Sequence, residues 1–131
     1  MKAAYLKAKN QFEIREVEVR EPEAGEVLVG VKACGFCGHD KILAGYAGEE
    51  WQPFGHEFAG VVEKVGHGVK NVKVGDRVVV ETSIFDPISD YARNGRPELD
   101  TKGPNYMTME HTGMGFAEKT IVPAILCVPF T

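Results

Sequence analysis

Short, valine-rich runs separated by glycines occupy most of the chain, and this punctuation constrains the fold more than any other feature. Residues 27–33, 58–65, 77–81, 118–122 and 125–128 are each of strand length, and Gly66, Gly68 and Gly75 mark turns between the second and third of them. Residues 12–19 add an alternating apolar and polar run, with one slip at Arg15-Glu16 that suggests a bulge, and turn chemistry at residues 21–25 ends it. That run reads as a half-buried strand. Strands this short, at this spacing, predict a mainly β domain built as a barrel or sandwich.

Composition sets the outer limits. A chain of 131 residues that is 44% hydrophobic is large enough for one domain around one core. The net charge of −4, with basic residues dispersed among acidic ones, offers neither a cationic face for nucleic acid nor a polybasic membrane anchor. The N-terminus lacks the long apolar run of a signal peptide or membrane span, which makes a cytoplasmic location the default. Three cysteines are an odd count with two in one motif, so reduced, metal-competent thiols fit better than a disulfide framework.

The chemistry concentrates in Cys34-Gly35-Phe36-Cys37-Gly38-His39-Asp40 and Gly55-His56-Glu57-Phe58-Ala59-Gly60. Zinc takes thiolate, imidazole and carboxylate ligands, and catalytic sites use three protein ligands with one position left open. Cys37, His56 and Glu57 fit that set. Neighbouring side chains of a flat strand point to opposite faces, so His56 and Glu57 can share a metal only where a strand begins. Pro53, Phe54 and Gly55 just before them read as the required turn. Residues 38–44 are the helical candidate here, and they would put Cys37 at a positive helix end that favours thiolate.

These motifs, with Met1-Lys2-Ala3-Ala4, Val61-Val62, Val74-Gly75-Asp76-Arg77-Val78 and Gly115-Phe116-Ala117-Glu118, resemble the zinc-dependent medium-chain alcohol and polyol dehydrogenases over nearly the whole chain. The resemblance implies a GroES-like barrel with a few short helices and an irregular lobe. It makes Cys37 and His56 zinc ligands and Glu57 a ligand that exchanges on and off. By the same likeness Asp40 hydrogen-bonds His56, fixing its tautomer. His39 stands where relatives carry the Ser or Thr that relays the alcohol proton, work an imidazole can do near neutral pH. Ile42 replaces a histidine that often ends the relay.

The lobe, about residues 82–113, holds a second, structural zinc in the family, on cysteines spaced C-x2-C-x2-C-x7-C. The flanks Tyr91 and Arg93-Asn94-Gly95-Arg96-Pro97-Glu98-Leu99 match, but the ligand positions carry Asp86, Ser89, Ala92 and Asp100. No structural zinc is expected; the lobe should keep its shape without metal, with Asp86 or Asp100 paired to Arg93 or Arg96, and should be mobile.

Other sequence features have plainer readings. Cys34-x-x-Cys37 as a redox pair lacks the βαβ context such pairs need. Cys34 and Cys127 read as small buried residues. Gly66-His67-Gly68 has Asn71 where a dinucleotide loop needs its third glycine, so it is a turn with His67 solvated. His111, among Met107, Met109 and Met114, reads as structural.

The chemistry implied by the resemblance is hydride transfer from a small alcohol or polyol to NAD or NADP, with zinc polarising the alcohol oxygen. Zinc lowers the pKa of bound water from about 15.7 to about 7, roughly 12 kcal/mol, whereas a general base supplies about 3 to 5 kcal/mol, so the metal ligands should outweigh any relay. No G-x-G-x-x-G occurs in this sequence. The family's Rossmann domain and its last zinc ligand, a Cys or Glu, are expected beyond Thr131, with the chain inactive alone, its zinc weakly held and its cofactor-facing surface apolar. A homo-oligomer is expected at full length. A zinc-free quinone-reductase-type domain and a non-catalytic binding module are the alternatives.

Overall fold

The computed structural model describes residues 1–46, 48–100, 105–106 and 114–131. Its strands are β1 (Lys2–Lys7), β2 (Gln11–Glu16), β3 (Glu26–Gly35), β4 (Gln52–Pro53), β5 (Glu57–Val65), β6 (Arg77–Val80), β7 (Ser83–Ile84), β8 (Asn105–Tyr106), β9 (Lys119–Pro123) and β10 (Cys127–Pro129). Two helices, α1 (Gly38–Tyr46) and α2 (Asp90–Arg93), and two 3₁₀ turns complete the described chain. No helix among these residues is long and apolar enough to cross a membrane.

The main sheet runs β10-β6-β5-β3-β9, a smaller one β2-β1-β4, and β7 pairs with β8. All pairings are antiparallel. The two larger sheets are joined at the segment before β9. Ala4 donates to the Phe116 carbonyl at 2.8 Å, Glu118 donates to Lys2 at 3.0 Å, and Val31 donates to Glu118 at 3.0 Å. Val27, Val29, Phe58, Val62, Val78, Val122 and Leu126 fill the core between these elements. Valine suits this place because its stiff, branched side chain packs well on a pleated surface.

Strands β3 and β5 carry the site, and their pairing slips twice, between Leu28 and Val29 and between Val31 and Ala33. Such bulges bend a strand and re-aim the residues beyond them. At their crossing a Cβ on Gly60 would lie 2.4 Å from the Gly30 carbonyl oxygen, so only glycine allows the two backbones to meet there.

The sequence-based expectations hold for the mainly β architecture and for the strands near the site. They fail on β2, which ends at Glu16 and is the outer edge of its sheet. Phe12 and Ile14 are exposed at 49% and 68%, while the opposite face carries Glu13 and Arg15. The reason is cationic stacking: the Arg15 guanidinium lies 5.1 Å from the Tyr5 ring centre and 4.9 Å from that of Trp51, and pairs with Glu13. The final run begins with a 3₁₀ turn at Ala124–Leu126 before β10 forms.

In the lobe the four positions singled out above are joined in pairs by amide-to-side-chain hydrogen bonds. The Asp86 amide donates to Asp100 Oδ2 at 3.2 Å, and Ser89 caps α2 by accepting from the Ala92 amide at 3.1 Å. Arg96 pairs with Glu98, two residues away and already in reach. Met107, Met109 and His111 lie outside the described residues; Met114 is in the core, 5% exposed.

Candidate metal centre

Cys37 leaves the end of β3 and caps helix α1. The Asp40 carboxylate reaches back to accept from the Cys37 amide at 2.9 Å, and the Cys37 Sγ accepts from the His39 amide at 3.4 Å. This is the reciprocal logic of a capping box, with an aspartate in the role of the usual Glu or Gln and sulfur in that of the usual hydroxyl. It satisfies two amides that the helix leaves open and fixes the thiol at the helix N-terminus, where the dipole favours negative charge. The helix forms where expected and runs two residues further, to Tyr46.

His56 arrives from the opposite side. Gly55 takes φ +92°, a left-handed conformation open to glycine, and a Cβ there would sit 2.5 Å from the Phe116 ring. The turn places His56 just ahead of β5, 4% exposed. Its Nδ1 lies 3.5 Å from Asp40 Oδ1, and Asp40 is fully buried at 0%. That oxygen has no hydrogen-bond partner among the described residues. A buried carboxylate oxygen left unbonded costs about 1–3 kcal/mol. A His56 ring carrying its proton on Nδ1 offers a donor in that direction and leaves Nε2 as its electron-pair donor.

Among the described residues, the group that gathers is Cys37, His39 and His56, each offering one ligand atom within 4.8 Å of the others. The His39 Nδ1 lies 3.9 Å from Cys37 Sγ, and the two imidazole rings meet edge to face with centres 6.2 Å apart. A thiol with two imidazoles suits zinc and cobalt, and is a poor set for magnesium or calcium. The sequence had singled out His39 as a proton carrier. The missed signal was its place two residues after a helix-capping cysteine, on the helix's first turn.

Glu57 lies apart from that group. It opens β5, and the strand's alternation buries His56 and Phe58 while exposing Glu57. Its carboxylate runs over Gly35, 3.2 Å from where a Cβ would stand, beside an open apolar groove formed by Ala33, Phe58, Val79 and Val80.

Cys34 is packed under the two glycines of the turn, its Sγ within 3.0 Å of a Cβ placed on Gly55 and 2.7 Å of one on Gly115. Burial, then the negative charges of Asp40 and Glu57, push its thiol up to about 12. A neutral thiol of that kind is a poor nucleophile and redox partner, although Cys34 is half-buried and not buried as expected. Burial alone pushes Cys127 up to about 11. His67 is exposed in its turn, as expected. Beside the site an aromatic row that the sequence did not reveal runs Phe12, Phe54, Phe116, Phe36, with ring centres 5.7, 4.7 and 6.1 Å apart.

Two antiparallel sheets that bring a helix-capping cysteine thiol to an imidazole at the head of a strand define the class of fold and candidate site to compare with known proteins. Residues 23–131 match the alcohol dehydrogenase GroES-like domain, and this chain belongs to that family. It is 37% identical to the starvation-sensing protein RspB of Escherichia coli K12, over 95% of this chain and 37% of that protein. It is also 37% identical to the (R,R)-butanediol dehydrogenase of Bacillus subtilis, over 90% of this chain and 37% of that enzyme. Among solved structures, the thermostable alcohol dehydrogenase of Pyrobaculum aerophilum superposes with a TM-score of 0.86 at 32% identity, covering 98% of this chain and 40% of that one. A cobalt- and zinc-bound form of the same enzyme superposes at 0.87. The chain thus spans under half the length of the curated relatives it matches.

Proposed function

We propose that this chain is the metal-holding domain of a zinc-dependent, NAD(P)-linked dehydrogenase of small alcohols or polyols, with Cys37 and His56 as zinc ligands. The observation that carries this reading is the buried Asp40, which reaches both ligand residues at once, through the Cys37 amide and toward His56 Nδ1. A carboxylate in that position orients both donors before any metal arrives. Bound zinc supplies a Lewis acid for the alcohol oxygen.

The remaining work belongs to this chain's own side chains. Asp40 holds the His56 tautomer. His39, exposed on the first turn of α1, carries a proton between the site and solvent. Phe36, Phe54 and Phe116 form an apolar wall beside the donors that keeps water from the reacting carbon. Glu57 stays a reserve carboxylate that reaches the metal only after a side-chain rotation. A nucleotide-binding domain supplies the hydride acceptor, and the apolar groove beside Glu57 is suited to packing against it. Relatives named as butanediol dehydrogenase, L-threonine 3-dehydrogenase and D-xylulose reductase support a hydroxylated small-molecule substrate.

The test is a panel of 2,3-butanediol, xylitol and threonine with NAD or NADP, run on the enzyme at its natural length. Reduction of the nucleotide should be abolished by a strong chelator and by Cys37→Ser. Turnover that survives both treatments would refute the zinc reading and favour a zinc-free reductase.

A further inference from the structure

We infer that His39 is a third protein ligand of this metal site, joining Cys37 and His56 in a Cys-His-His set that the chain supplies by itself. The inference rests on the zinc reading above and changes the role of one residue in it.

The geometry comes first. A tetrahedral zinc with Zn–S of about 2.3 Å and Zn–N of about 2.0 Å has ligand-to-ligand edges of about 3.3 to 3.6 Å. The separation of His39 Nδ1 from Cys37 Sγ is 3.9 Å, and all three donors lie within 4.8 Å of one another. A small rotation of one exposed ring closes that set. Glu57 starts further off, on the outward-facing side of β5 over Gly35, and needs a larger rotation to join. The helix contributes as well: the Cys37 sulfur already accepts the His39 amide, so the residue offering the ring is locked to the residue offering the thiol.

A ring bound through Nδ1 keeps its proton on Nε2 and has no lone pair left to accept another. Ligation and proton carriage by His39 therefore alternate. The closed set retains the metal; the open one exposes a coordination position.

The experiment loads the full chain with Co²⁺ and follows the thiolate-to-cobalt charge-transfer band and the d–d bands of four-coordinate cobalt. His39→Ala should lower cobalt affinity by more than about 100-fold, beyond the 10- to 100-fold that outer partners typically cost. It should also weaken the d–d bands, and added imidazole should restore them. His67→Ala, in an exposed turn away from the donors, should change neither. Far-UV circular dichroism checks the fold, which an exposed helix position should preserve. If His39→Ala binds cobalt with unchanged affinity and spectrum, the inference fails and the zinc reading stands. If the unsubstituted chain shows no charge-transfer band at all, both fail.

Discussion

The corner at the head of α1 and the lobe after β6 pose the same structural problem, a loop that must hold its shape, and solve it with different chemistry. In the corner a buried aspartate pins a cysteine amide and faces a histidine ring, and the donors left over converge. In the lobe Asp100 pins the Asp86 amide and Ser89 caps a four-residue helix, so the side chains at these positions are spent on the backbone. Convergent donors are what a metal ion needs. Satisfied ones make a fold.

The sharpest way to break this contrast is to give the lobe the corner's chemistry. Replacing Asp86, Ser89, Ala92 and Asp100 together by cysteine should raise zinc content from one to two per chain if the loop bends as a structural-zinc lobe must. Structural zinc contributes about 10–16 kcal/mol in finger peptides, enough to outweigh the few hydrogen bonds lost. Elemental analysis reads the result, and a content that stays at one would mean that the two loops differ in backbone shape as well as in side chains.

Next in size is the corner's own pin. Asp40→Asn retains an acceptor for the Cys37 amide but turns an amide toward His56, and zinc affinity should fall by about 10- to 100-fold in chelator competition. An affinity equal to that of the unsubstituted chain would show that Asp40 serves the helix cap alone.

Gly55→Ala should cost about 2–4 kcal/mol, from a left-handed backbone combined with a Cβ 2.5 Å from the Phe116 ring, and thermal unfolding measures it. A negligible loss would mean that the turn before His56 is plastic.

The smallest effect is on pH. Cys34 and Cys127 keep their protons in the folded chain up to about 12 and about 11, while the unfolded chain releases them near 9.0. The unfolded state therefore binds fewer protons in that window, and stability should fall as pH rises above about 9. Denaturant melts at pH 8 and 10 check this, and the drop should shrink in Cys34→Ala.

The strands on either side of the metal site were legible in the sequence because valine runs and glycine turns are local signals, and residues 58–65 differ from β5 only in that it begins at Glu57. The inside of β2 was not. Period-two alternation cannot say which face is covered, and Arg15 stacked between Tyr5 and Trp51 reversed the usual choice. At the metal site the motif spacing pointed to Cys37 and His56, which the fold brings together. The direction of the next residue was harder to read: Glu57 follows the pleat outward, while His39 enters from a helix turn whose first residues the spacing alone does not orient. The lobe's Asp86–Asp100 hydrogen bond joins positions fourteen residues apart, beyond any local pattern.

Anomalous diffraction at the zinc edge, on crystals of the metal-loaded protein, tests the central claim most directly. The account predicts one peak within bonding distance of Cys37 Sγ and His56 Nε2 and none at residues 86–100. A peak elsewhere, or an occupied metal that leaves Cys37 and His56 unbonded, would contradict it.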